Sequence, residues 1–296
     1  MGQIEARRPI IPLVAIIVVG VVALLFVALV LPQVLPSKSS NQIVEYKKFQ
    51  SQEISESTIS LDLSSFNGYI TVKPSDSRIV LINVTMKGTQ DELKDITFDF
   101  KEQTENGTKT VTLKVKSTGL LPILGTSASL DVLVPKDRVY YATLDTSNGK
   151  IEVSSLKGEK LTLHTSNGMI QFTNVEFGII EATTSNGEIK GSLSANKATL
   201  TTSNGAIRTS ISNFGSYKIT TSNGRIEVNI IYNTPIKIQA NTSNGKINYD
   251  MPLTVTQSSN NNLSGYTYNY DSSKPNIDLQ LSTSNGNIDM MYLGKD

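Results

Sequence analysis

The sequence predicts an all-β fold, a repetitive β-solenoid of about 19-residue rungs, following one N-terminal transmembrane helix. Three observations lead there. First, the tetrapeptide Thr-Ser-Asn-Gly recurs with its Asn at positions 148, 167, 186, 204, 223 and 244, and again at 285. A fixed period of this kind signals stacked repeats. Second, apolar and polar residues alternate on both sides of each motif, which is the period of a strand with one buried face. Third, Ile10 to Leu31 is an uncharged run dominated by Ile, Val, Leu and Ala.

Taken in chain order, residues 1–9 read as a cytoplasmic tail and 10–31 as the membrane span. Twenty-two residues at a helical rise of about 1.5 Å reach roughly 33 Å, enough to cross a hydrocarbon core. Arg7 and Arg8 precede the run and Lys38 is the first charge after it. That asymmetry puts the N-terminus inside the cell and the remainder outside. A cleaved signal peptide is the competing reading, but the apolar run is too long and no small-x-small cleavage site follows before Pro32. Residues 32–41, with Pro36 and a Ser-rich end, form a spacer.

Residues 42–140 read as an irregular β region, either divergent rungs or a cap. Ile59, Leu61 and Leu63 alternate before Ser65-Phe66-Asn67-Gly68, a cousin of the motif. Further alternating runs hold Ile96, Phe98 and Phe100, then Val111, Leu113 and Val115, then Leu130, Val132 and Val134. Gly125, Gly107 and Gly88 fall near the same beat and are candidate corners.

Residues 141–290 are the regular solenoid. Its expected corner residues are Asn148 and Gly149, Asn167 and Gly168, Asn186 and Gly187, Asn204 and Gly205, Asn223 and Gly224, Asn244 and Gly245, and Asn285 and Gly286. The second residue after each Gly is Ile: Ile151, Ile170, Ile189, Ile207, Ile226, Ile247 and Ile288, with Ile70 in the cousin. An Asn-Gly hairpin also fits this pattern. A hairpin leaves the repeated Thr and Ser unexplained, whereas stacked corners let hydroxyl and amide side chains bond along the axis. In this reading the corner Gly supplies a positive φ, and Ser264-Gly265, midway between Gly245 and Gly286, marks a degenerate rung.

Strand–Thr-Ser-Asn-Gly–x-Ile-x-Val, repeated and preceded by an apolar run ending in Val134-Pro135-Lys136, resembles the DUF4097 family, the candidate adhesin domain of archaeal and bacterial envelope proteins. The likeness spans residues 59–290 and is clearest over 141–250. It implies a surface protein behind one membrane span, and brings no catalytic or ligand residues with it.

Composition narrows the chemistry. There is no Cys, which excludes disulfides and thiol nucleophiles, and one His. His164 alternates outward, so a catalytic triad or histidine metal site is not expected. Net charge is +1, with 25 basic and 25 acidic residues beyond residue 32, so no nucleic-acid surface is expected. Glu152, Glu188, Glu227, Asp289 and Asp145 lie along the stack and alternate with Lys150, Lys190, Arg208 and Arg225. That is a solvated, charge-mixed wall rather than the paired carboxylates of a glycosidase. No enzyme activity, cofactor or metal is expected.

Binding candidates are Tyr266, Tyr268 and Tyr270, an alternating trio able to stack on sugars or a partner. The Asn/Ser/Thr-rich segment 257–264 beside them is the other candidate for recognition. Asn83, Asn106, Asn262 and Asn241 sit in Asn-x-Ser/Thr acceptor patterns for glycosylation. The expected function is a membrane-anchored structural or adhesion protein meeting envelope glycans, a surface layer or other surface proteins. The alternative is an extracytoplasmic ligand-binding or sensory domain acting through a partner, and a polysaccharide-acting enzyme is the third.

Overall fold

A computed structural model describes residues 42–118, 125–231 and 233–293. The expected tail (1–9), membrane helix (10–31) and spacer (32–41) lie outside the described residues. The N-terminal third holds β1 (Ile43–Gln50), β2 (Thr58–Ser65), β3 (Asn67–Ser75), β4 (Leu81–Gly88), the short helix α1 (Gln90–Lys94), β5 (Ile96–Glu105), β6 (Thr108–Ser117) and β7 (Ser127–Pro135). The middle holds β8 (Val139–Thr146), β9 (Ile151–Ser154), β10 (Lys157–Thr165), β11 (Ile170–Thr184), β12 (Ile189–Thr202), β13 (Ile207–Ile211), β14 (Gly215–Thr221) and β15 (Ile226–Ile231). The last part holds β16 (Ile236–Thr242), β17 (Ile247–Tyr249), β18 (Leu253–Ser258), β19 (Asn262–Thr267), β20 (Ile277–Thr283) and β21 (Ile288–Leu293).

Each rung is a strand, a corner and a second strand. Successive rungs pair in parallel, in register, so the stack has two walls facing each other across one core. The first wall runs β6, β2, β8, β10, the end of β11, the end of β12, β14, β20 and β16. The second runs β7, β3, β9, the starts of β11 and β12, then β13, β15, β21 and β17. Parallel pairing of neighbouring copies excludes the hairpin alternative, in which Leu144 would have faced Val153 across one turn.

The core follows directly from the alternation. Ile70, Ile151, Ile170, Ile189, Ile207, Ile226 and Ile288 form one column with no exposed surface. Across from it, Leu63, Leu144, Leu163, Ala182, Leu200, Ile219, Leu281 and Ala240 line the first wall. Sheets stacked about 10 Å apart bury such faces without any covering helix.

Rung order departs from chain order at both ends. The rung of β20 and β21 lies between that of β14 and β15 and that of β16 and β17. Likewise β2 and β3 lie between β6 and β7 on one side and β8 and β9 on the other. A terminal rung placed inside the stack has neighbours on both sides, which suppresses the fraying expected of an end repeat.

The ends are closed by antiparallel strands. β1 pairs with β4, and β4 with β7; β5 pairs with β6. Phe49 of β1 packs 5.4 Å from both Phe98 and Phe100 of β5, closing the interior with aromatic rings. The capping box of α1, in which Thr89 and Glu92 bond each other's backbone amides, fixes the short link between β4 and β5. At the other end the antiparallel β19 and β18 extend the first wall beyond β16.

This arrangement corrects three expectations. Gly107 is the hairpin turn between β5 and β6, with Asn106 at φ 50° and Gly107 at φ 73°. Gly88 ends an antiparallel strand; of the three outlying candidates only Gly125 opens onto a parallel rung strand. Gly265 lies within β19, antiparallel to β16, so the segment between Gly245 and Gly286 is a hairpin excursion and not a degenerate rung. Region 42–140 is therefore both: two rungs joined to an antiparallel cap.

One ion pair near the capped end is well shielded. Lys109 of β6 lies 2.9 Å from Glu102 of β5, their side chains 8% and 22% exposed. Burial alone would raise the Glu102 pKa, but the Lys109 ammonium and the Gln52 amide outweigh it and hold the carboxyl below its usual 4.5. A depressed carboxyl pKa contributes stability above the unfolded value and loses it as pH falls through the folded one. The Glu102→Gln variant is expected to melt below the wild type at neutral pH, with the difference closing as pH drops below about 4.5. A difference that stays constant down to acid pH would contradict this.

Candidate functional site

The corners form a continuous seam on one side of the stack. Each motif Thr donates through Oγ1 to the carbonyl of the preceding rung's Gly: Thr165 to Gly149 at 3.1 Å, Thr184 to Gly168 at 3.1 Å, Thr202 to Gly187 at 3.1 Å and Thr221 to Gly205 at 3.0 Å. The same oxygen accepts the amide of its own rung's Gly three residues on, as Thr184 does from Gly187 at 3.1 Å. One hydroxyl thus satisfies two backbone groups that the bend would otherwise bury unpaired.

Outside this lies an amide ladder. Asn186 Nδ2 donates to Asn167 Oδ1 at 2.6 Å, Asn204 to Asn186 at 2.6 Å and Asn223 to Asn204 at 2.7 Å. Asn285 then donates to Asn223, and Asn244 to Asn285, each at 2.7 Å. Asn148 and Asn167 extend the ladder to Asn67 at the other end. The ladder follows the spatial order of the rungs and not the chain order.

The corner glycines are required for a reason other than the one expected. None of the motif glycines adopts a positive φ. A Cβ on Gly149, Gly168, Gly187, Gly205, Gly224, Gly286 or Gly245 would instead lie 1.6–1.9 Å from the carbonyl oxygen of the neighbouring Gly. Close backbone approach, not a left-handed bend, excludes any side chain here.

The outward face of the second wall carries charge in register. Lys150 pairs with Glu152 at 2.7 Å, Arg208 with Glu227 at 3.2 Å, Arg225 with Glu227 at 3.0 Å and with Asp289 at 2.7 Å; Glu188 contacts Lys190 at 3.6 Å and Arg208. Glu152 is held below the usual carboxylate range by its bond to Lys150, against a smaller opposing effect of burial. The wall therefore places Glu152, Glu188, Glu227 and Asp289 against cations. Asp145 lies on the other wall, beside His164, which is exposed and points outward.

The outward face of the first wall mixes ion pairs, Lys114 with Asp62 at 3.0 Å and Lys160 with Glu181 at 3.0 Å, with hydroxyl and amide side chains. At its C-terminal end a groove of about 310 Å³ crosses β14, β20, β16, β19 and β18. Lys218, Gln280, Gln239 and Ser264 project into it from one column of the register, with Asn241 and Asn262 in the next. The segment 257–264 singled out from the sequence is mostly strand, and four of its members, Gln257, Asn262, Leu263 and Ser264, line this groove. The other groove residues were not legible, because nothing in the sequence says that β20 lies between β14 and β16.

The three tyrosines do not form one strand face. Tyr266 points outward from β19, while Tyr268 and Tyr270 follow in the turn after it. Tyr266 and Tyr270 rings lie 5.6 Å apart, and the Tyr268 hydroxyl donates to Asn233 at 2.6 Å. The side chains of Asn83, Asn106, Asn241 and Asn262 are on exposed residues.

A search of curated proteins found no match. Among solved structures, a candidate cell adhesion protein from Clostridium sporogenes ATCC 15579 is similar at 13% identity and TM-score 0.42, over 85% of this chain and 100% of that one. A candidate adhesin from Bacteroides fragilis NCTC 9343 is similar at 11% identity and TM-score 0.38, over 86% of this chain and 98% of that one. The family model described as Toastrack DUF4097 matches residues 57–295, from the first rung strand to the end of the stack. The chain belongs to the Toastrack DUF4097 family.

Proposed function

We propose that the protein is a membrane-anchored structural or adhesion protein of the cell surface, with its N-terminus inside the cell and the rung stack outside. The observation that carries this reading is the pair of outward walls with side chains in register over nine parallel rungs. Strands about 4.8 Å apart offer a long, stiff, regularly spaced surface, suited to many weak contacts with envelope glycans, a surface layer or another surface protein. Repetition matters more than any single strong contact, because linked weak contacts gain through effective concentration. The apolar run at 10–31 and the preceding Arg7 and Arg8 support the anchored orientation.

The test has two parts. A C-terminal tag should be labelled by an impermeant reagent on intact cells; labelling only after lysis would overturn the orientation. Liposomes bearing the full chain should be retained on isolated cell-envelope fragments, and retention equal to bare liposomes would overturn adhesion. A ligand-binding domain acting through a partner is the second reading, favoured by the groove on the first wall. A polysaccharide-acting enzyme is the weakest, since the wall carboxylates are engaged by neighbouring cations.

A further inference from the structure

We propose that the groove at the C-terminal end of the first wall binds a short stretch of an uncharged carbohydrate chain. This rests on the surface reading above and names a ligand class and a site for it. The groove is walled by amides and hydroxyls, and Lys218, Gln239, Asn241 and Gln280 direct no side-chain hydrogen bond or ion pair to another described residue. Free polar side chains occur on other parts of the surface too. Here, however, three amides, Gln239, Gln280 and Asn241, converge on one concavity, whereas the corner asparagines bond one another and the carboxylates of the second wall face cations.

Their chemistry selects the ligand. An amide offers two donors and an acceptor with two lone pairs, and a hydroxyl offers both roles. That is the complement of a sugar's vicinal hydroxyls, each of which also donates and accepts. Gln280 and Gln239 occupy adjacent strands at the same register, and Ser264 follows on the next. Their heads recur at one strand spacing, about 4.8 Å, close to the width of a pyranose ring. Among the described residues no carboxylate lines the groove, and Lys218 at one margin is the only charged side chain lining it. Tyr266 is the next outward side chain beyond Ser264 along β19. Its ring, 5.6 Å from that of Tyr270, lies outside the groove lining on the same outward face, where an aromatic surface suits the C–H face of a sugar chain running on past the groove.

The inserted rung creates the site. Lys218, Gln280 and Gln239 are neighbours only because β20 stacks between β14 and β16, and Asn262 and Ser264 join them because β19 adds to β16 in the antiparallel sense. The regular rungs lack this amide column: Thr143, Thr162, Glu181 and Thr199 occupy the same register position.

The test is calorimetric titration of the full chain in detergent micelles with neutral hexose and N-acetylhexosamine oligosaccharides and with uronate-bearing ones. A neutral oligosaccharide is expected to bind, with Kd in the range of roughly micromolar to millimolar. The Gln239→Ala/Gln280→Ala double variant should weaken it at least about ten-fold, a loss of roughly 1.4 kcal/mol, with the melting temperature unchanged. Thr162→Ala, on the same wall outside the groove, should bind as the wild type does. The proposal is overturned if no neutral oligosaccharide binds at millimolar concentration, if the double variant binds normally, or if uronate oligosaccharides bind more tightly. It is also overturned if the intact mass of the native protein shows a glycan on Asn241 or Asn262, since that glycan would fill the groove. Retention of liposomes on envelope fragments without oligosaccharide binding would reject the groove and leave the adhesion reading standing.

Discussion

Gly187→Ala is expected to destabilise the stack by roughly 4 kcal/mol or more, in the range reserved for severe structural conflicts. A Cβ there would lie 1.7 Å from the Gly168 carbonyl oxygen and 3.0 Å from Thr184 Oγ1. The first obstacle is backbone, so no change of rotamer relieves it. Relief requires the two rungs to separate at the corner. Separation breaks the bond from Thr184 to Gly168, the paired amides of Ser185 and Asn186 on the Ser166 carbonyl, and the link from Asn186 to Asn167. Melting should fall by about 10 °C. The informative control is Gly107→Ala: φ there is 73°, yet nothing lies within 4 Å of the added Cβ. Backbone strain alone costs about 1–2 kcal/mol. If the two variants lost equal stability, close rung contact would not be what selects glycine at the corners.

Ile189→Ala is expected to cost about 4 kcal/mol, near the upper part of the range for a large-to-small core change. Ile189 is fully buried, between Ile170 and Ile207 on the second wall. The spacing of its neighbours is set by inter-strand hydrogen bonds, so the surrounding wall has little freedom to collapse into the space left behind. Ile247→Ala at the end of the same column removes the same atoms from a half-buried site. Its loss should be about 1–2 kcal/mol, because partial exposure reduces the transfer free energy and water can enter. Urea denaturation of both variants measures the contrast. Equal losses would mean that the column is not a continuous dry core.

These two contrasts also mark what the sequence could and could not reveal. The rung, its corner and its inward residues follow from local pattern, since alternation and the Thr-Ser-Asn-Gly repeat act within one rung and its neighbour. The second residue after Gly is Ile because it is the first inward position beyond the bend. The role of Gly itself was misread: an isolated corner suggests a conformational need, and only the adjacent rung brings the carbonyl that forbids a side chain. Rung order was equally hidden, because the motif at Asn285 has the same four residues as that at Asn244 and carries no label of its place. Gly107 and Gly88 fell on the beat by coincidence, and the pairing sense of their strands is a long-range property. The groove inherits this: Lys218, Gln239 and Gln280 are ordinary outward residues until β20 intercalates.

Intercalation is the claim on which the seam and the groove both depend, and cysteine pairs test it directly because the chain has no native Cys. Thr220 and Ser282 are register partners on adjacent strands, as are Ser282 and Asn241, whereas Thr220 and Asn241 are two strands apart. A disulfide needs Cα atoms within about 7 Å, and two strand spacings come to roughly 9.6 Å. Under mild oxidation, the Thr220→Cys/Ser282→Cys pair should crosslink and Thr220→Cys/Asn241→Cys should not. Crosslinking of 220 with 241, and none of 220 with 282, would show the rungs stacking in chain order and contradict the structure described.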